Sequence, residues 1–398
     1  MKSITKLLMK FDPQSNEWLL NKHQIYKELR NAEKAYWSEK YNLYVMTRYD
    51  DVYYILSNPN TFSSAKGNLP IEDTYRFGNT LGASDNPIHN EYKNIVKNAY
   101  SKDNIKRIAD VFREKAIEHF ENKTEINISE ITEDLAAWAG AETLNFPLYK
   151  TYIKDMIIES QKYNPFSVSK DHIENFDDRY DSLLKHYKRL VKTTQMKIPP
   201  TGPGIYKEYI KNAPRWPDDR DDSSLYLGGP MISGTGSLIA ALQFLTLDLY
   251  RENQLDIILN DRSLIPLAVN ESLRFNASTG RFSRTVTKEI TMHSIDLKPG
   301  DRVAACMDSA NRDSNKFPNP DKFDIHRDTS GHLAFGHGIH TCIALAISRE
   351  LLSVYLETLL DKIGKYEITT KNSDLIYKVS GSGTGDIITN IILNKTNI

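Results

Sequence analysis

The sequence predicts a mainly helical chain with short β-strands near its two ends. Apolar residues recur at helical spacing through most segments from Ile88 to about Ile198. The stretch Leu238 to Leu249 is apolar apart from Gln243, Thr246 and Asp248, and reads as a buried helix. Runs rich in Thr, Val and Ile, at Ser283 to Ile295 and Arg302 to Met307, read as short strands.

The elements follow in order. Gln24 to Asn31 is helical. Lys34 to Tyr36 and Leu43 to Met46 form a hairpin, with Lys40, Tyr41 and Asn42 near its turn. Tyr49 to Leu56 is a helix stopped by Asn58-Pro59. Asn60 to Asn86 carries Gly, Pro, Asn and Ser without a period and reads as a long loop, a length more often functional than filler. The helical stretch beyond it breaks at Asn122-Lys123, Pro147 and Pro165. Pro199-Pro200-Thr201-Gly202-Pro203-Gly204 is the sharpest interruption, and with no compositional change across it we read a surface connection. An acidic run, Asp218 to Asp222, precedes the long central helix, which begins near Gly229, and Ile265 to Phe275 is the next helix.

Composition sets the outer limits. With 398 residues, 40% hydrophobic and 26% charged, this is an ordinary globular chain rather than a disordered or collagenous one. Lys+Arg 51 against Asp+Glu 52 leaves no basic excess of the kind that marks a nucleic-acid binder. The two cysteines, Cys306 and Cys342, cannot build a disulfide framework and suit a reducing compartment. Leu7-Leu8-Met9 is too short for a signal-peptide core, and no apolar run reaches membrane-spanning length. We therefore expect a soluble cytoplasmic protein.

The chemistry concentrates in Phe335-Gly336-His337-Gly338-Ile339-His340-Thr341-Cys342, followed by Ile343-Ala344-Leu345-Ala346. A glycine-rich loop delivers one cysteine to the start of a helix. Backbone N–H groups near a helix N-terminus stabilise a negative sulfur, and glycines let the backbone approach a large flat ligand. A lone cysteine there would more often be an inert buried hydrophobe.

The stretch resembles the haem-binding loop of the cytochrome P450 family at its Phe, Gly, Gly, His and Cys positions. The resemblance implies that Cys342 is the axial thiolate ligand to haem iron and that His340 reaches a haem propionate. Upstream, Glu271-Ser272-Leu273-Arg274 is similar to the family's E-x-x-R helix, about seventy residues before the cysteine. Ala310-Asn311-Arg312-Asp313 and Phe317 to Phe323 are similar to its meander. Where the family often has Arg, this chain has Lys322, and Arg327 is an alternative third member of the ion network. His89 and Lys93, one helical turn apart, stand where the family directs His and Arg at propionates. Arg284 stands at a further propionate position, with Arg281 as the alternative. The likeness runs from the hairpin near Leu43 to the helix containing Arg349 and Glu350. It implies one haem-containing domain over 1–398, mainly α with small sheets.

The departure lies in the central helix. Where the family carries Ala/Gly-Gly-x-Asp/Glu-Thr, this chain reads Ser233-Gly234-Thr235-Gly236-Ser237. Gly236 thus occupies the acid position and Ser237 the alcohol position of the pair that relays protons to bound dioxygen. By resemblance the substrate faces 62–81, 227–237, 276–279 and the polar, glycine-rich turn 379–385, which suits a polar or peptide-like small molecule.

The implied activity is a haem-thiolate monooxygenase that uses dioxygen and haem b (iron protoporphyrin IX) and acts as a monomer. Electrons would come from NAD(P)H through a separate ferredoxin or flavodoxin, docked on a basic patch of Lys97, Lys102, Lys106 and Arg107. Two rivals remain: a peroxide-driven or atypical member that bypasses the acid–alcohol pair, and a silent member serving as an accessory or binding protein.

Overall fold

The computed structural model describes residues 11–13, 15–70, 78, 80–145, 154, 200, 202–212, 234–371, 374–379 and 385–396. The expected breaks at Pro147 and Pro165, the acidic run 218–222 and the start of the central helix near Gly229 lie outside them.

Helix α1 (Asn16–Asn31) begins well before Gln24, because Ser15 Oγ accepts the Trp18 N–H at 3.1 Å. Strands β1 (Tyr36–Ser38) and β2 (Leu43–Met46) form the expected hairpin. Its first strand sits later than Lys34 to Tyr36, because Asn42 turns with φ 49° and donates its N–H to Glu39 O. Helix α2 (Tyr49–Ser57) follows, and the supposed open loop beyond it contains β3 (Phe62–Ser63).

Helices α3 (Ile88–Val96), α4 (Lys102–Phe120) and α5 (Ile128–Leu144) fill the next stretch. The break at Asn122-Lys123 conceals β4 (Glu125–Asn127). Helix α5 ends at Asn145, whose φ of 46° closes it. Asn145 Nδ2 donates to Pro203 O at 2.8 Å, and a Cβ on Gly204 would sit 2.9 Å from Leu144 O. Pro203 and Gly204 are therefore fastened to the end of α5. They lead into α6 (Ile205–Asn212).

The central helix is described as α7 (Thr235–Arg251) and is buried on nearly every side from Ile239 to Leu249. The three polar residues that interrupt its apolar run each find a partner. Gln243 donates to Thr132 Oγ1 and accepts the Ile388 N–H at 2.8 Å; Thr246 Oγ1 meets the Tyr355 hydroxyl at 2.8 Å. Asp248 accepts from Ser272 Oγ (2.8 Å) and Asn276 Nδ2 (2.7 Å), while burial pushes its carboxyl up to about 7. These contacts fix the rotation and height of α7 in the core.

Helices α8 (Leu255–Asn260) and α9 (Ile265–Phe275) lead to strands β5 (Arg281–Val286), β6 (Ile290–Met292), β7 (Ile295–Leu297) and β8 (Arg302–Cys306). β6 and β7 join through His293 and Ser294, both at positive φ, a tight turn made without glycine. β8 passes into the short α10 (Met307–Ala310), so the strand stops one residue before Met307. The chain ends with α11 (Leu345–Lys362), β9 (Tyr366–Ile368), β10 (Tyr377–Val379), β11 (Asp386–Ile388) and β12 (Ile392–Lys395).

The larger sheet has the order β1-β2-β8-β5-β3, and a three-stranded sheet pairs β4, β12 and β9. Apolar faces of α4, α5, α7, α9 and α11 share one core with β12. No helix among the described residues is long and apolar enough to cross a membrane. The architecture is mainly α with small sheets, as expected.

Candidate functional site

The cysteine loop is closed by its own backbone. Cys342 N–H donates to Phe335 O at 2.9 Å, Gly336 N–H to Leu333 O at 2.9 Å and Thr341 N–H to Gly338 O at 3.1 Å. Gly336 and Gly338 take φ of 68° and 72°, the left-handed region that favours glycine. Gly338 also lies against the end of α2, where no Cβ would fit. The Cys342 side chain is exposed, yet surrounding protein desolvates its thiol and pushes it up, against the pull of the Ala344 N–H and Lys93. A side chain that is both accessible and hemmed in lies in a recess. Cys306, by contrast, is fully buried between α1 and the sheet.

Cationic and imidazole side chains gather beside this loop. His89 and Lys93 lie one turn apart on α3 and both reach Ile339 O, at 3.0 and 3.1 Å. The His89 and His340 rings pack edge to face with centroids 4.3 Å apart. His340 Nε2 is buried without a hydrogen-bond partner among the described residues. Burial first, then Arg284, His89 and Lys93, lower its pKa to about 2, so it is neutral. Arg284 is buried on β5, with Nη1 bonded to Ser283 O at 2.8 Å; burial lowers it to about 10, opposed by Asp85. Arg281 faces elsewhere, toward Tyr26, Asp386 and Asp308. Of the two arginines, Arg284 is the one beside His340.

The glutamate–arginine pair on α9 is buried completely. Glu271 Oε2 accepts from Arg274 Nε at 2.7 Å, and Oε1 from Arg274 Nη2 at 2.8 Å. Oε1 also accepts the Asp324 N–H at 2.9 Å and Arg327 Nε at 3.2 Å. Arg327 is thus the third member of the network, and Lys322 supplies only its backbone carbonyl to Arg327 Nη2. Arg274 Nη1 spans to Asn311 O and Pro320 O, tying α9 to the segment that leads into the cysteine loop.

At the head of α7, Gly236 is buried and Ser237 half-buried, while Gly234 is exposed and no atom of the described residues lies within 4 Å of where its Cβ would be. Ser237 Oγ lies 2.9 Å from Thr279 Oγ1. Sequence reasoning placed Thr279 only at the end of a substrate-facing stretch, and no local signal pairs it with Ser237. Parts of the other substrate-facing stretches, at 71–77, 79, 227–233 and 380–384, lie outside the described residues.

The expected basic patch is partly neutralised. Lys106 pairs with Asp110 at 2.7 Å, and Arg107 is held by the Glu142 carboxylate and carbonyl. A separate hollow of about 370 Å³ lies against the cysteine loop, bordered by His332, Phe335, Gly336, Thr341, Leu345 and Arg349. The Arg349 guanidinium stands 5.5 Å from the Phe335 ring centroid.

Comparison with known proteins finds relatives of the same fold. The family model described as Cytochrome P450 matches residues 251–372, which include both the Glu271–Arg274 pair and the cysteine loop. Cytochrome p450 CYP199A2 of Rhodopseudomonas palustris is 24% identical over 90% of this chain and 88% of its own. Pulcherriminic acid synthase of Bacillus subtilis is 24% identical over 93% and 94%. The solved CYP116B5 heme domain of Acinetobacter radioresistens superposes with a TM-score of 0.83 at 20% identity, covering 99% of each chain. The chain belongs to the cytochrome P450 family and is a haem-dependent oxidoreductase of the monooxygenase class.

Proposed function

We propose that the protein inserts one atom of dioxygen into a small polar or peptide-like molecule, with Cys342 as the sole protein ligand to the haem iron. The second oxygen atom leaves as water, taking up two electrons and two protons. The electrons come from NAD(P)H through a separate ferredoxin or flavodoxin. The carrying observation is the accessible Cys342 sulfur beside His89, Lys93, His340 and Arg284. That set fits haem. Two carboxylates would offset the clustered charge, and the unpartnered His340 Nε2 is placed to bond one of them. Among the described residues no group of three metal-binding side chains competes with Cys342.

When bound, haem supplies dioxygen activation, and a thiolate ligand pushes electron density toward O–O cleavage. Cys342 is held for this by its N–H bond to Phe335 O and by the Ala344 N–H. His89, Lys93, His340 and Arg284 hold the carboxylates. Ser237 handles protons at its Oγ, and Gly236 adds nothing to that task. The exposed Lys97 and Lys102 of the basic patch support docking of an acidic electron donor on that face. The peroxide-driven and silent readings gain no observation of their own.

The test is the reduced, carbon monoxide-bound spectrum. Wild type and Cys306→Ser should show the red-shifted Soret band of thiolate ligation, and Cys342→Ser should lose it. Loss in Cys306→Ser instead would overturn the assignment.

A second expectation concerns protons. A serine hydroxyl relays but is not itself an acid, and a side chain serves only within about 3 Å of its target. With glycine at 236, NADPH oxidation should therefore couple poorly to product for probe substrates without a hydroxyl, amine or carboxylate, and release hydrogen peroxide. Gly236→Asp should raise the product formed per NADPH with those probes. Tight wild-type coupling with them would show that another residue supplies the protons.

A further inference from the structure

Several threonine hydroxyls inside this protein's helices bond back to their own backbone, whereas Ser272 reaches across to Asp248. Thr132, Thr143, Thr246 and Thr358 each donate to the carbonyl four residues back, at 2.7–2.9 Å. Ser237 instead turns away from its own helix to Thr279 Oγ1 at 2.9 Å, across 42 residues of sequence. From this we infer that Thr279 is the positioning residue for Ser237, holding its hydroxyl where the side chain missing at Gly236 cannot.

Thr279 is well placed for that task because its backbone is clamped on both sides. Asp308 N–H donates to Gly280 O at 3.1 Å, and the Asp308 carboxylate fills the space where any Gly280 Cβ would lie. On the other side, Gly385 packs so closely on Ser278 O that it has no room for a side chain. Ser278 and Gly280 are buried, whereas Thr279 is half-buried like Ser237. Two hydroxyls bonded to each other share one hydrogen and leave the second free to donate. The pair therefore presents one oriented O–H, fixed by two separate elements of the fold. Alone, Ser237 would fall back on its own helix carbonyls.

This assignment rests on Ser237 as the alcohol of the proposed function, and its test is separable from that reading. The carbon monoxide spectrum of the wild type, taken first, tests thiolate ligation. Cyanide is then titrated into the ferric, haem-loaded protein and followed by its Soret shift, a binding measurement independent of turnover. Ser237→Ala and Thr279→Val should each weaken cyanide binding about tenfold, the loss of roughly one hydrogen bond. The double variant should be no weaker than either single one, and Thr279→Ser should match wild type. Thr279→Ala replaces Thr279→Val if the latter fails to load haem. Additive losses, or unchanged cyanide affinity in Thr279→Val, would overturn the assignment. A Thr279 that served only packing would lower the melting temperature and leave cyanide affinity alone.

Discussion

Glu271→Ala is expected to yield unfolded or haem-free protein. Glu271 is completely buried and accepts from Arg274, Arg327 and the Asp324 N–H, so its removal strands two guanidinium groups in the interior. Breaking a buried ion pair by deleting one partner typically costs about 3–5 kcal/mol. That is a large part of the roughly 5–15 kcal/mol by which a folded domain is stable. Arg274 also ties α9 to Asn311 and Pro320, so the damage extends to the path of the cysteine loop. Thermal melting by circular dichroism and haem content per chain measure the effect. A folded variant with normal haem and no turnover would point to a chemical role for Glu271.

Gly338→Ala is expected to cost the thiolate band while the helices remain. The residue takes φ 72°, where a Cβ costs roughly 1–2 kcal/mol, and that Cβ would also press into Leu56 O at the end of α2. A backbone oxygen in a packed helix end has little freedom to give way, so the loop must lift. Thr341 N–H then loses Gly338 O, one residue before Cys342. Gly336→Ala is the control. It carries similar strain at φ 68°, but its Cβ would stand 3.6 Å from His340 O, so its loss should be the smaller. Equal losses in the two variants would mean that strain, not the contact with α2, governs the loop.

These features differ in how openly the sequence displays them. The cysteine loop and the Glu271–Arg274 pair are legible because their chemistry depends on spacings of a few residues, which a helix or a turn converts directly into geometry. Arg327 was visible only as one of two options, since its approach to Glu271 depends on the path of an irregular segment. Ser237 and Thr279 meet because α7 and the segment after α9 pack together, and neither local sequence encodes that. The same holds for β4. Its three residues carry no strand signal of their own, and they become a strand by pairing with β12 at the other end of the chain. His293-Ser294 turns tightly without the Asn-Gly pattern that would have announced it, held by the strands on either side.

The gathering of His89, Lys93, His340 and Arg284 has a bearing on how the protein is made. The two cations Lys93 and Arg284, both set against the neutral His340, tax the empty chain, and a ligand that binds only the folded form adds stability that rises with its concentration over its dissociation constant. Folding and cofactor capture are therefore one equilibrium. In a cell short of haem, the chain would spend longer open to chaperones and proteases, and the amount of protein that accumulates would follow the haem supply as closely as it follows transcription.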